Sequence, residues 1–218
     1  VAAPTREKIR DAERSRAAIL AAAERLFASR GYGGASLSDI GAAAGLSRGA
    51  PSYFFGSKPA LYGAVLEAAF DARQEATVQA FAPVRRWCEG GGAADLLEPA
   101  LRQAALGYMD FLDRNPAFVV LITREQLEGG TRIGGTSRGS TAMRDAFAAV
   151  RRAGRHRGLG RFRVDDAVLV FVALTFAPIS LRHTLMPAVG VDLATAAGRR
   201  RQARLAAAQL MHLLRGAG

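Results

Sequence analysis

One cysteine, Cys88, stands in a chain of 218 residues. A lone thiol excludes an internal disulfide framework and any cysteine-rich zinc site. Histidine is scarce as well: His156, His183 and His212 lie far apart, and none forms an i, i+4 pair of metal ligands. No glycine-rich loop ends in Gly-Lys-Ser/Thr, so a phosphate-cradling loop of that type is excluded. Long apolar runs are missing too. The longest uncharged stretch, residues 167–181, falls short of the roughly 20 residues that cross a bilayer and contains Pro178. Residues 1–16 are charged and lack the apolar core of a signal peptide, which leads to the expectation of a cytoplasmic protein with no membrane partner. No convincing strand alternation is present, and no period of 20–50 residues repeats, which argues against a solenoid. These absences call for no metal, cofactor or catalytic group.

What is present is a foldable composition, with 50% hydrophobic and 22% charged residues. At roughly 150 residues per domain, the length allows one or two domains with a proper core. The net charge is +11, and of the 30 basic residues only Lys8 and Lys58 are lysines. Residues 1–60 carry nine basic and five acidic groups, residues 61–143 eight and ten, and residues 144–218 thirteen and four. Such a balance favours polyanionic partners. Most of the excess lies in the last third, so charge alone does not locate a binding site. A basic helical protein held on a membrane surface or another polyanion is the competing reading on this evidence of charge.

Helical periodicity dominates, predicting an all-α protein. Ile19, Leu20, Ala23, Leu26 and Phe27 recur on one face of a first helix that Gly31 stops. Ser36 is a suitable N-cap for a short second helix, with Asp39 three residues on in a capping-box arrangement, closing at Ala44-Gly45. Ser47 is expected to cap a third helix ending near Phe55-Gly56, and Ser57 a fourth with Pro59 in its first turn and Pro83 as its latest end. A glycine-rich turn is expected at 88–92, followed by helices over 95–114, 116–128, 142–156, 164–186 and 192–215. Residues 129–141 read as a polar connector.

The informative stretch is SLSDIGAAAGLSRGAPSYFFGSK, residues 36–58. Two short capped helices meet at Gly45, where a missing Cβ permits a positive φ. Ala42, Ala43 and Ala44 are small enough for a close crossing. This is the layout of a helix-turn-helix over residues 35–54, whose second helix enters a DNA major groove. Small residues at the start of that helix allow backbone approach, and Arg48 offers a fork of donors to a base edge or phosphate. Phe54 and Phe55 read as packing residues rather than as stacking platforms.

ILAAAERLFASRGY in the first helix, SLSDIGAAAGLSRGAPSYFF after it, and GSKPALYGAVL opening the fourth together resemble the TetR family of transcriptional regulators. The resemblance covers about residues 14–70. It implies an N-terminal basic arm (1–13), a three-helix DNA-binding domain (14–74), and a C-terminal ligand-sensing and dimerising domain (75–218) reached through a long fourth helix. It further implies that Ser36 and Lys58 contact phosphates and that Ser47, Arg48, Gly49 and Ala50 face bases and backbone. Ser52 stands where many members carry tyrosine, with Tyr53 beside it. Tyr53 is the favoured aromatic contributor, and Ser52 the smaller polar one.

In the C-terminal part Tyr108, Phe111, Leu112, Phe118, Met143, Phe147, Phe171, Thr175 and Phe176 are the candidate lining of an effector pocket for a small, mostly apolar organic molecule. Thr123, Thr175 and His183 are candidate orienting groups. The 164–186 segment is apolar over a wide arc, and Ala203, Ala206, Ala207, Leu210, Leu213 and Leu214 recur beside it. This pattern leads to the expectation of a homodimer built from the last two helices, and of a palindromic or near-palindromic double-stranded DNA operator. A repressor released by its effector is the expected function, with an activator of the same family as the alternative.

Overall fold

The computed structural model describes residues 6–90, 93–133 and 141–216. All regular structure among these residues is helical: α1 (Arg6–Gly34), α2 (Leu37–Ala43), α3 (Ala50–Phe55), α4 (Lys58–Ala80), α5 (Ala82–Glu89), a 3-10 turn (Ala94–Leu96), α6 (Leu97–Arg114), α7 (Pro116–Leu127), α8 (Thr141–Gly154), α9 (Val164–Ser180), α10 (Leu185–Ala188) and α11 (Ala196–Arg215). No described helix is long and apolar enough to cross a membrane. The chain divides into two compact units. One comprises Val1–Ala69 with Ala117–Thr136, the other Phe70–Pro116 with Ser137–Gly218. The division falls inside α4, and the segment carrying α7 groups with the N-terminal helices.

Local chemistry explains most boundaries. Ser36 accepts from the Asp39 amide at 3.0 Å, capping α2. Ser57 accepts from the Ala60 amide at 3.3 Å and so caps α4. At Gly31 the backbone of α1 leaves helical geometry (φ 73°, ψ 172°), placing a kink where the periodicity predicts a stop. Three expectations are corrected. Ser47 does not cap α3: its carbonyl closes a turn with the Ala50 amide at 3.0 Å, and Gly49 occupies the cap position. α4 ends at Ala80, short of Pro83 as expected, and Pro83 sits at the second position of α5, where its missing N–H costs no helical bond. The 164–186 segment is not one helix. Pro178 lacks the amide that would continue the ladder, α9 ends two residues later, and α10 follows a turn. The last helix starts at Ala196 rather than 192, where the Thr195 hydroxyl accepts from the Gly198 amide at 3.1 Å. Of the 129–141 connector, residues 134–140 lie outside the described part.

The core of the C-terminal unit packs α6 against α11, α9 and α5, and α8 against α5 and α9. Leu97, Leu101, Ala104 and Leu112 of α6 are fully buried, as are Ala203, Ala206, Ala207, Leu210 and Leu214 of α11. That stripe of α11 is therefore the inner face of a single chain. Arg199 binds Asp110 at 3.1 Å and Asp113 at 3.3 Å, and Arg182 binds Asp113 at 2.8 Å, so both arginines are tied to α6. Gln202 donates to the Leu174 carbonyl at 2.9 Å, holding α11 on α9. Trp87 is a packing residue: its indole donates to the Ala93 carbonyl, and the Arg157 guanidinium lies 4.6 Å from its ring.

Candidate nucleic-acid interface

The helix-turn-helix is assembled at a single close approach. A Cβ on Gly41 of α2 would stand 2.6 Å from the Ser47 carbonyl oxygen and 3.2 Å from Cδ of the buried Pro51. Gly41, not the alanines that follow it, makes the crossing possible; Ala42 and Ala43 are exposed. Gly45 carries the expected positive φ of 71° and turns the chain. Gly41 was legible only as one small residue among several, since nothing local says which of four consecutive positions faces the neighbouring helix.

With Pro51 turned inward, the turn before α3 presents Ser47, Arg48 and Gly49 to solvent and α3 presents Ser52 and Tyr53, while Ala50 is half-buried. Tyr53 is 85% exposed, its ring meeting Phe54 edge-on at 5.2 Å. Phe54 and Phe55 are half-buried. The other end of α3 is held by Arg16, which sequence reasoning missed. Its guanidinium donates to the Phe54 carbonyl at 3.2 Å and covers the Phe55 ring at 4.2 Å. A cation there also suits the negative end of the helix dipole. Ser36 is exposed at the start of α2. Lys58 is half-buried, with Nζ 3.5 Å from the Gly33 carbonyl oxygen and 4.6 Å from the centroid of the Tyr32 ring.

A second layer supports this surface from α7. Arg124 donates to the Ala28 and Ser29 carbonyls at 3.1 and 3.3 Å, satisfying acceptors just before the kink in α1. Glu125 is 1% exposed and accepts from the Tyr62 hydroxyl at 2.6 Å. Arg132 stands 3.6 Å from the same carboxylate, pairs with Glu128, and lies over the Tyr32 ring at 4.3 Å. Burial, followed by the Glu125 hydrogen bond and charge, pushes the Tyr62 phenol far above its ordinary value. Tyr32 thus sits against Lys58 and Arg132 and meets Tyr62 at 5.0 Å.

A family model described as bacterial regulatory proteins, tetR family, matches residues 19–65. A second, the tetracyclin repressor-like C-terminal domain, matches residues 98–208. The chain belongs to the TetR family. Its members are DNA-binding transcriptional regulators rather than enzymes, so the helix-turn-helix is their DNA-binding element. The HTH-type transcriptional repressor NicS of Pseudomonas putida KT2440 is 30% identical over 194 residues, spanning 86% of each chain. Among solved structures, a TetR family transcription regulator from Marinobacter aquaeolei VT8 shares the fold with a TM-score of 0.67, 18% identity, and coverage of 92% of this chain and 97% of that one. A tetR-family regulatory protein from Rhodococcus RHA1 does so with 0.64, 19%, 94% and 98%.

In the C-terminal unit of this TetR-family regulator, five rings pack together. Phe81, between α4 and α5, lies 4.9 Å from Phe171 and 5.5 Å from Phe147; Tyr108 lies 5.6 Å from Phe171 and 6.4 Å from Phe111. Leu112, Met143 and Thr175 are fully buried and Phe176 is half-buried. Phe118 falls in the other unit. Of the candidate orienting groups, Thr175 and Thr123 spend their hydroxyl protons on their own helices, donating to Phe171 and Val119 carbonyls. His183 is exposed beside Arg182. One polar residue in this region had no sequence signal: Arg73 of α4 is only 6% exposed, 5.7 Å from the Phe70 ring and close to the Tyr108 hydroxyl.

Proposed function

We propose that this protein is a homodimeric repressor that binds a palindromic or near-palindromic operator and leaves it when a small organic effector occupies the C-terminal unit. The observation that carries the DNA-binding half is the division of labour across α3 and the turn before it. Pro51 is buried against Gly41, whereas Ser47, Arg48, Gly49, Ser52 and Tyr53 are exposed. An exposed arginine at the start of a supported short helix suits a guanine edge, through O6 and N7. Ser36 and Lys58 would hold phosphates and set register. To reach one, Lys58 must exchange the Tyr32 ring and the Gly33 carbonyl for the DNA backbone. The repressor assignment draws on NicS, a named repressor alignable over most of the chain.

Release is a two-state coupling: effector binding favours a dimer whose recognition helices no longer match successive major-groove faces. For the dimer itself, the exposed apolar residues of the last long helices, Leu169 on α9 and Leu205 on α11, supply the self-complementary face. Selecting bound fragments from genomic DNA tests the proposal. Enrichment of a shared inverted repeat, shifted in a gel as one dimer, is the expected result. Uniform recovery of all fragments, competed equally by anionic vesicles, would instead establish general polyanion binding.

A further inference from the structure

Arg73 sets a chemical requirement on whatever occupies the C-terminal unit. Its Nε and Nη2 are buried and meet no acceptor among the described residues. These two nitrogens share one edge of the guanidinium, the edge whose parallel N–H bonds match the two oxygens of a carboxylate. The Phe70 ring offers the cation a π face, which leaves that in-plane edge unanswered. Nor do the described residues pair it with a carboxylate. Asp110 and Asp113 are engaged by Arg199 and Arg182, Asp71 and Glu75 on the same helix are exposed, and the undescribed residues contain no Asp or Glu. A buried, unpaired charge is destabilising, so a merely structural side chain at this position would be better served by methionine or leucine.

We infer that the effector carries a carboxylate, received side-on by Nε and Nη2 of Arg73, with the Tyr108 hydroxyl as an additional donor and Phe111, at the edge of the neighbouring groove, packing its apolar body. This rests on the reading of the C-terminal unit as the effector domain and narrows a mostly apolar molecule to an organic acid. Burial keeps the Tyr108 phenol protonated and able to donate, against the smaller opposing effect of Arg73. One turn further along α4, a groove of about 520 Å³ opens between Ala76 and Ala80 on one side and Gly107, Phe111 and Arg114 of α6 on the other. It is of small-molecule size. Phe111 connects it to Tyr108 through their stacked rings.

The probes are benzoate, phenylacetate and 1-naphthoate, each paired with its primary amide and titrated calorimetrically into wild-type, Arg73→Lys and Arg73→Met full-length protein. At least one carboxylate should bind saturably and at least 30-fold more tightly than its amide. Arg73→Lys should keep part of that preference and Arg73→Met should lose it. Without any probe, Arg73→Met should melt at a higher temperature than the wild type. No preference for any carboxylate over its amide, whether through equal binding or none, overturns the inference, as does an Arg73→Met variant that melts lower and still binds carboxylates like the wild type. Release from the selected DNA separates the two layers. Amides that release DNA as well as acids leave the effector reading intact and sink the carboxylate. Acids that bind through Arg73 without releasing DNA uphold the carboxylate and sink the effector reading.

Discussion

At the scale of single residues, Arg48 and Lys58 differ in what they leave behind when removed. Arg48 is exposed and Lys58 rests on Tyr32. Lys58→Ala is expected to weaken selected and scrambled DNA alike and to flatten the log-affinity versus log-salt slope by ~0.9 for each phosphate that is no longer neutralised. Arg48→Ala should cost about 1–3 kcal/mol per half-site on the selected operator alone and relax the preference at one base pair in each half. Binding isotherms for both variants on both DNAs, across a salt series, decide the roles. An equal loss on both DNAs for Arg48→Ala would make it a phosphate contact. Gly41→Ala presents a contest of two effects. Alanine improves helix propensity by about 1 kcal/mol, but its methyl carbon would lie 2.6 Å from a backbone oxygen that has no rotamer to change. Overpacking of this kind costs about 1–3 kcal/mol, so the variant should melt lower and bind operator less tightly. A calorimetric melt that rises would show that α2 and α3 separate easily. Ser36, Ser57 and Gly45 were legible because caps and positive φ are local. Arg16 and Arg124 were not, because their acceptors lie 38 and 96 residues away and leave no periodic trace.

At the scale of elements, the same distinction separates what periodicity revealed from what it concealed. The apolar stripes of α1 and α11 located these helices, since each buries one face. Periodicity could not tell that the Ala203–Leu214 stripe faces inward against α6 and α9, because inner and outer apolar faces look alike in sequence. Nor could it show that α7 supports the DNA-binding helices. That support has a measurable consequence. The Tyr62 and Tyr108 phenols are both held above their ordinary pKa near 10, burial being the larger cause for each. For a folded-state pKa above the unfolded one, the protonated group's stabilisation is complete below about pH 10 and is lost as pH rises beyond it. Unfolding midpoints in urea should therefore fall steeply from pH 10 upward, and Tyr62→Phe should flatten that fall while lowering stability near neutrality. A variant with an unchanged alkaline decline would remove Tyr62 from the cause.

For the whole molecule, the proposed dimer raises the question of which surface a second copy would cover. Leu169 and Leu205 are 67% and 47% exposed on the outer sides of α9 and α11. Exposed positions tolerate charge within about 0.5 kcal/mol of chain stability, so Leu169→Glu with Leu205→Glu tests association without dismantling the core. Light scattering should show the mass falling to that of one 23.0 kDa chain, with operator affinity falling as the two half-sites cease to be read together. A double variant that remains dimeric would place the interface elsewhere.

The way α3 is mounted also bears on how such a protein diverges. The groups that hold it, Gly41, Pro51 and Arg16, are none of the groups that it offers to solvent. Positions 48, 52 and 53 can therefore be exchanged with little penalty to folding, so a duplicated copy of the gene is free to explore new operators one substitution at a time. The mounting is tighter: at Gly41 even a methyl carbon would stand 2.6 Å from a backbone oxygen. On the proposed reading, recognition is an interchangeable inscription on a fixed bracket, and libraries randomised at those three positions are the natural starting point for retargeting it.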